Sequence, residues 1–219
     1  MVLNLSAMKC WKKLVTVVLA SNEIRREDFF IVFRVFRVRD VGTGDELAMK
    51  KIRLTEENRT LLMKEMLIHQ QLKHPNIIKC HQAYERSGYF YIIQELAVGG
   101  ELFELVEPDC GFPEQVVHFY FVQLMQVVQY LQSIGICHRD LKLENMLLDG
   151  HGNLKVSDFG LSTVYRKNGV KRELQTKCGT LAYMAPEVAC SKDYDGDLVD
   201  LWSSAIILIA LFCGSKYLK

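Results

Sequence analysis

His138-Arg139-Asp140-Leu141-Lys142-Leu143-Glu144-Asn145, followed by Asp158-Phe159-Gly160 beginning 18 positions after Asp140, is the stretch on which the reading of this chain turns. Between the two lie Met146-Leu147-Leu148, the turn-forming Asp149-Gly150-His151-Gly152, and Leu154-Lys155-Val156 as a short strand. A lone Asp-Phe-Gly occurs often by chance and reads as a turn. The ordered pair with a strand, a turn and a strand between them is different, because it places both motifs at loop ends facing one cleft.

Working outward, further short motifs stand in order. Ala48-Met49-Lys50 lies on a predicted strand, and Glu65 follows Lys50 by 15 positions on a predicted helix. Gln94-Glu95-Leu96-Ala97 closes another strand, ahead of Gly99-Gly100-Glu101. Thr180-Leu181-Ala182-Tyr183-Met184-Ala185-Pro186-Glu187 and Asp200-Leu201-Trp202-Ser203 come later. Any one of these lysines or glutamates taken alone reads as a solvated surface charge. The set fits phosphoryl transfer, which requires clamped phosphates, a held metal and a positioned acceptor hydroxyl rather than covalent help from the protein.

These motifs together resemble the eukaryotic serine/threonine protein kinase family. The resemblance implies an α+β, bilobal fold with a small β-rich first lobe and a larger, mainly helical second lobe. It implies ATP and Mg²⁺ as cofactors and protein serine or threonine hydroxyls as acceptors. Asp140 is then the residue that accepts or orients the hydroxyl proton, Lys142 the one that neutralises the moving phosphate, and Asn145 and Asp158 the Mg²⁺ ligands. Lys50 serves the α- and β-phosphates and Glu65 is its ion-pair partner. Lys51 is the competing lysine, and motif spacing selects Lys50. Backbone groups of Glu95 and Ala97 bond adenine, Ala48 and Leu147 close on either side of the ring, and Gln94 guards the pocket behind. His138 and Phe159 are expected to be structural, Arg139 to anchor the segment after Gly160, Thr180 to bond near Asp140, and Asp200 to brace the catalytic loop.

Within the family the resemblance is to the DNA-damage checkpoint kinases of the calmodulin-dependent group, and it runs over residues 32–214. It is carried by Gly99-Gly100-Glu101-Leu102-Phe103, by Val106-Glu107-Pro108-Asp109-Cys110-Gly111-Phe112-Pro113-Glu114, and by Ser162-Thr163-Val164-Tyr165-Arg166 with Lys177-Cys178-Gly179-Thr180. Glu101 and Glu144 stand where kinases that prefer basic substrates receive arginine, so an arginine upstream of the target hydroxyl is implied.

Bulk properties agree. Formal charge is +1, from 27 basic and 26 acidic side chains, so no overall field draws the chain to nucleic acid or an anionic membrane. The seven cysteines are odd in number and lack any Cys-x-x-Cys spacing, which predicts reduced thiols in a reducing compartment, hence nucleus and cytoplasm. Residues 14–20, after Lys12 and Lys13, loosely imitate a signal peptide. Residues 201–213 are too short an apolar run to span a bilayer and predict a buried helix. A monomer with no nucleic acid and no membrane partner is expected.

Alternation predicts strands over 31–38 and 46–54 joined by Gly42-Thr43-Gly44-Asp45, a helix from Thr55 to about residue 72, a strand over 89–96, and a long helix with Pro113 at its first position. The expected organisation is an atypical segment 1–30, an incomplete first lobe 31–97 and an incomplete second lobe 98–219. The pattern departs from the family at two points. No glycine precedes Gly42, so the glycine-rich loop ahead of the second strand is missing. The later helices of the large lobe are also expected to be absent, which would leave apolar surface on the helix after Asp200. These departures keep open the alternative of a catalytically impaired relative acting as a binding module.

Overall fold

A computed structural model of the chain describes residues 14–16, 23–26, 31–214 and 216. Contacts divide it into two compact units, one formed by residues up to Arg59 with Cys80–Leu96, the other by Thr60–Lys79 with the chain from Ala97 onward.

The first unit is an antiparallel sheet of β1 (Leu14–Thr16), β2 (Glu23–Arg26), β3 (Ile31–Asp40), β4 (Glu46–Arg53), β5 (Cys80–Arg86) and β6 (Tyr89–Glu95). Its order is β1-β3-β4-β6-β5, and β2 also pairs with β3. The predicted hairpin is present: the side chain of Asp40 accepts from the Gly42 amide at 2.7 Å, and Gly44 has φ 81°, a left-handed value that glycine takes without a Cβ clash. Period-two burial then decides β4, where Ala48, Lys50 and Ile52 are buried and Lys51 is not. Residues 1–30, in which the sequence shows no pattern, contribute two strands to this sheet. Leu14, Val15 and Thr16 pair with Asp40, Arg39 and Val38, and Glu23 to Arg26 pair with Arg34 to Ile31. The signal-like run thus begins as a strand, and residues 17–20 of it lie outside the described residues. Strand β5 was also not legible, since only Cys80, Ala83 and Tyr84 in it are apolar; it takes the edge of the sheet beside β6.

Helix α1 (Glu56–His69) starts at a reciprocal cap. The Thr55 amide donates to Asn58 Oδ1 at 2.9 Å, and the Asn58 amide donates to Thr55 Oγ1 at 3.3 Å. The segment Thr60–Lys79 groups with the second unit, because its Ile68, Leu72 and Ile77 belong to the core built around the long helices there.

That core is built from α2 (Glu114–Ser133) together with α4 (Gly196–Cys213), which pack on each other. Val117, Leu124, Val127, Val128 and Leu131 line the buried side of α2 at helical spacing. Pro113 precedes the first helical residue and acts as its cap residue, with ψ 150°, rather than occupying the first position. Between the helices come β7 (Ile136–Cys137), β8 (Met146–Leu148), β9 (Leu154–Val156), β10 (Thr163–Val164), β11 (Arg166–Lys167), β12 (Val170–Lys171) and α3 (Pro186–Cys190). Strands β7 and β10, β8 and β9, and β11 and β12 form three two-stranded antiparallel pairs.

Helix α4 has the length and apolar composition to cross a membrane. Its placement is that of a core helix: Asp200, Ser203 and Ser204 are buried, and Ser203 Oγ donates to Tyr183 O at 2.9 Å. Its other side is open, with Leu198, Trp202, Ile209 and Phe212 exposed.

Candidate active site

The site is assembled from a loop between two strands. Strand β7 ends at Cys137, and the following amides of His138 and Arg139 donate to Asp200 Oδ2 and Oδ1 at 2.7 and 2.9 Å. A fully buried carboxylate thus holds the loop from beneath, the brace expected of Asp200. Burial pushes its pKa up, and the two amides together with His138 and Arg139 pull it back. Arg139 takes a left-handed φ of 68°, which turns the chain sharply ahead of Asp140.

Asp140 is buried and held at both oxygens. Its Oδ1 accepts from the Thr180 amide at 3.1 Å and from Thr180 Oγ1 at 2.8 Å. Its Oδ2 lies 3.5 Å from Lys142 Nζ and accepts from Asn145 Nδ2 at 3.3 Å. Lys142 Nζ also donates to Thr180 Oγ1 at 2.7 Å. Asp140, Lys142, Asn145 and Thr180 therefore form one network, although Thr180 is 40 positions from Asp140. The expected contact of Thr180 with Asp140 is present.

Asn145 Nδ2 donates as well to Asp140 O at 2.8 Å, which directs the amide nitrogen inward and reserves Oδ1 for other use. The amide and hydroxyl of Ser157 both donate to Asn145 O, at 2.9 and 3.1 Å, so the residue preceding Asp158 is tied to Asn145. Asp158 has φ 62°, left-handed like Arg139, and a non-glycine residue in that region marks a locally strained turn. An asparagine amide oxygen and an aspartate carboxylate are the oxygen chemistry that Mg²⁺ takes, a cation bound by few protein carboxylates and completed by phosphate oxygens and water. The residues fit such an ion.

Phe159 is fully buried between two imidazoles, its centroid 4.9 Å from that of His69 and 4.8 Å from that of His138. His138 accepts at Nδ1 from the Asp140 amide at 3.2 Å and donates from Nε2 to Ser157 O at 3.0 Å, which assigns the neutral ring with its proton on Nε2. Both residues have the structural part expected of them. Arg139 donates to Leu161 O at 2.8 Å and to Tyr194 Oη at 3.1 Å, and Tyr194 in turn donates to Thr176 O at 2.7 Å. Arg139 thereby anchors the segment after Gly160, as expected, through an intermediary the sequence did not flag.

Gly99 N donates to Leu148 O at 2.9 Å, and Glu101 bridges to Leu147, so Glu101 and Leu147 are brought together. A Cβ on Gly99 would sit 2.7 Å from Leu148 Cβ, and only glycine permits this approach. Burial, with the Glu104 and Glu144 charges, raises the Glu101 pKa. In the first unit, Ala48 faces Gln94 and Leu47 faces Glu95 across β4 and β6, while Lys50 lies opposite Ile92 with Nζ 4.3 Å from the Phe33 ring centroid. Lys51 turns to the other face, over the Tyr89 ring. Glu65 is buried on α1.

The sequence profile of the protein kinase domain matches residues 32–219. The chain belongs to the protein kinase family. This kinase is 43% identical over 172 residues to serine/threonine-protein kinase chk-1 of Caenorhabditis briggsae, an alignment covering 77% of this chain and 35% of that protein. It is 42% identical over 174 residues to serine/threonine-protein kinase grp of Drosophila melanogaster, covering 78% and 34%. It is 38% identical over 193 residues to CBL-interacting serine/threonine-protein kinase 16 of Arabidopsis thaliana, covering 83% and 41%. The chain spans about a third to two fifths of the length of these curated relatives. Protein kinases as a family use ATP and Mg²⁺ and act on proteins.

Three further residues of this kinase join the site without a signal in the sequence. Tyr194 has no neighbouring motif. Lys64 Nζ and Arg172 Nη2 both donate to Thr163 Oγ1, at 2.9 and 3.0 Å, and burial with the Arg139 and Arg172 charges lowers the Lys64 pKa. Tyr194 and Lys64 meet partners 55 and 99 positions away, whereas Arg172 meets Thr163 nine positions away.

Proposed function

We propose that this chain transfers the γ-phosphate of ATP to serine or threonine hydroxyls of proteins. The network joining Asp140, Lys142, Asn145 and Thr180 carries the reading. With Oδ1 held by Thr180, the Asp140 carboxylate can orient an acceptor hydroxyl and take its proton as the oxygen attacks. The Lys142 ammonium, 3.5 Å from Asp140 Oδ2, is positioned to meet negative charge developing on the transferred group. Asn145 and Asp158 would hold Mg²⁺, which supplies charge neutralisation for the phosphates. Lys50 is assigned to the α- and β-phosphates and the backbone of Glu95 and Ala97 to adenine, with Ala48 and Leu147 as apolar contacts for the ring.

The acidic Glu101, with Glu104 and Glu144 near enough to raise its pKa, supports an arginine upstream of the acceptor hydroxyl. A role in DNA-damage checkpoint signalling, in nucleus and cytoplasm, is proposed from the motifs shared with that group and from the identity to chk-1 and grp. The chain is taken to act as a monomer on protein substrates, without nucleic acid, and to be organised as a first lobe 31–97 and a second lobe 98–219.

A second reading, a catalytically impaired relative that serves as a binding module, is favoured by one observation. No glycine stands ahead of Gly42, so backbone amides of a glycine-rich loop do not cover the phosphates. One experiment separates the two: transfer of labelled γ-phosphate from Mg-ATP to an arginine-containing serine peptide, by the purified chain and by Asp158→Ala. Transfer that falls at least ~100-fold in the variant supports the kinase. No transfer from a folded, monodisperse sample supports the binding module.

A further inference from the structure

Just past Thr180, which closes on Asp140, the chain buries a tyrosine. Residues Leu181–Tyr183 form one tight helical turn, joined to its start by Tyr183 N donating to Thr180 O at 2.9 Å. Tyr183 is 3% exposed, and its carbonyl accepts from Ser203 Oγ of α4 at 2.9 Å, which fixes it from the backbone side. Its hydroxyl reaches the turn that follows Lys142. There it accepts from Leu143 N at 3.4 Å and donates to Glu144 Oε2 at 3.4 Å. An amide can only donate, so Leu143 N–H takes a lone pair of the phenol oxygen and the single phenolic proton is left for the carboxylate. Burial, followed by the Glu144 charge, raises the Tyr183 pKa, which keeps that proton on the phenol. Glu144 itself is exposed, whereas Leu143 and Asn145 on either side of it are buried. Its charge also acts on Glu101, so the two acids belong to one cluster.

We propose that Tyr183 is a positioning residue for substrate selection: its hydroxyl holds the Glu144 carboxylate where that group receives the arginine upstream of the target hydroxyl. The inference rests on the arginine preference proposed above and goes beyond it, because it assigns selectivity to a fixed carboxylate rather than to negative charge alone. Each carboxylate oxygen has two lone pairs, so one bond from Tyr183 leaves both oxygens able to accept from a planar guanidinium. A glutamate free to rotate loses rotamer freedom when it meets that guanidinium, and one already held by a buried phenol has less to lose. The segment then serves two ends. Thr180 fixes the carboxylate that meets the acceptor hydroxyl, and Tyr183 fixes the carboxylate that reads the residue upstream of it.

The test reads binding without ATP. Two fluorescein-labelled serine peptides, one with an upstream arginine and one with norleucine in its place, are titrated with the full chain, and Kd is measured by anisotropy. The unaltered chain should prefer the arginine peptide. Tyr183→Phe, which removes only the hydroxyl, should weaken binding of the arginine peptide by about threefold to tenfold and of the norleucine peptide by less than about twofold. Glu144→Gln should lower the same preference, and adding Tyr183→Phe to it should have no further effect, as for two groups acting through one contact. A purely structural tyrosine would weaken both peptides equally, and that result, or an undiminished preference in Tyr183→Phe, would overturn the inference. Glu144→Asp decides the matter if the phenylalanine variant does not fold, since the position is exposed. Its shorter side chain draws the carboxylate away from the phenol, so a reduced arginine preference supports the inference and a full one overturns it. Phosphate transfer is scored separately: its absence counts against the kinase, and absence of arginine preference in the unaltered chain counts against this inference.

Discussion

At Glu101 two demands oppose each other. Burial and the neighbouring Glu104 and Glu144 raise its pKa and so disfavour the charged form, whereas the proposed reception of a substrate arginine requires the carboxylate. A raised pKa in an acid means that its burden on stability is absent at low pH and grows as pH rises through the ordinary carboxylate range. Glu101→Gln should therefore raise the urea midpoint at neutral pH and leave it unchanged at acidic pH. The same variant should raise KM for an arginine-containing peptide severalfold with kcat little changed, and an unchanged KM would remove Glu101 from substrate recognition. The residues of the network joining Asp140, Lys142, Asn145 and Thr180 were legible because each stands in a short motif. Tyr194 and Lys64 were not, since each acts through a partner that only folding brings near.

Among the elements, α4 carries the widest consequences. Asp195 caps it, its side chain accepting from the Asp197 amide at 2.9 Å, and one turn later Asp200 reaches the catalytic loop. Removing the Asp200 carboxylate orphans two buried amides, each of which loses a bond to a charged acceptor. Asp200→Ala is expected to lower stability by about 3 kcal/mol, read as a reduced urea midpoint at unchanged slope, and to reduce phosphate transfer by more than unfolding alone explains. Asp200→Asn, which retains one acceptor oxygen, should fall between. Equal transfer per folded molecule in all three chains would show that the brace serves stability only. The sequence predicted the helix and this aspartate's part. It missed β1, β2 and β5, because short strands with mixed polarity become strands only when a neighbour supplies the hydrogen bonds.

At the scale of the whole molecule, one side of α4 is open. Trp202 at 43% and Ile209 at 54% exposure, with Leu198 and Phe212, place large apolar side chains in water along one helix. Replacing Trp202 and Ile209 together by Gln should lower binding of a fluorescent apolar dye and reduce light scattering at rising concentration, with the far-ultraviolet dichroism preserved. Unchanged dye binding would mean that this face is covered in solution.

The sequence alone determined the family and the order of the motifs, because phosphoryl-transfer chemistry constrains residue type and short spacing at once. It also determined the hairpin before Lys50 and the periodicity of the long helices, since glycine conformation and burial period are local rules. Tertiary structure alone decided that Arg139 reaches Tyr194 and that Lys64 reaches Thr163. These pairs lie 55 and 99 positions apart. Nothing in a local window specifies such partners, because the hydrogen bonds and backbone contacts that select them exist only once the helices and strands have packed.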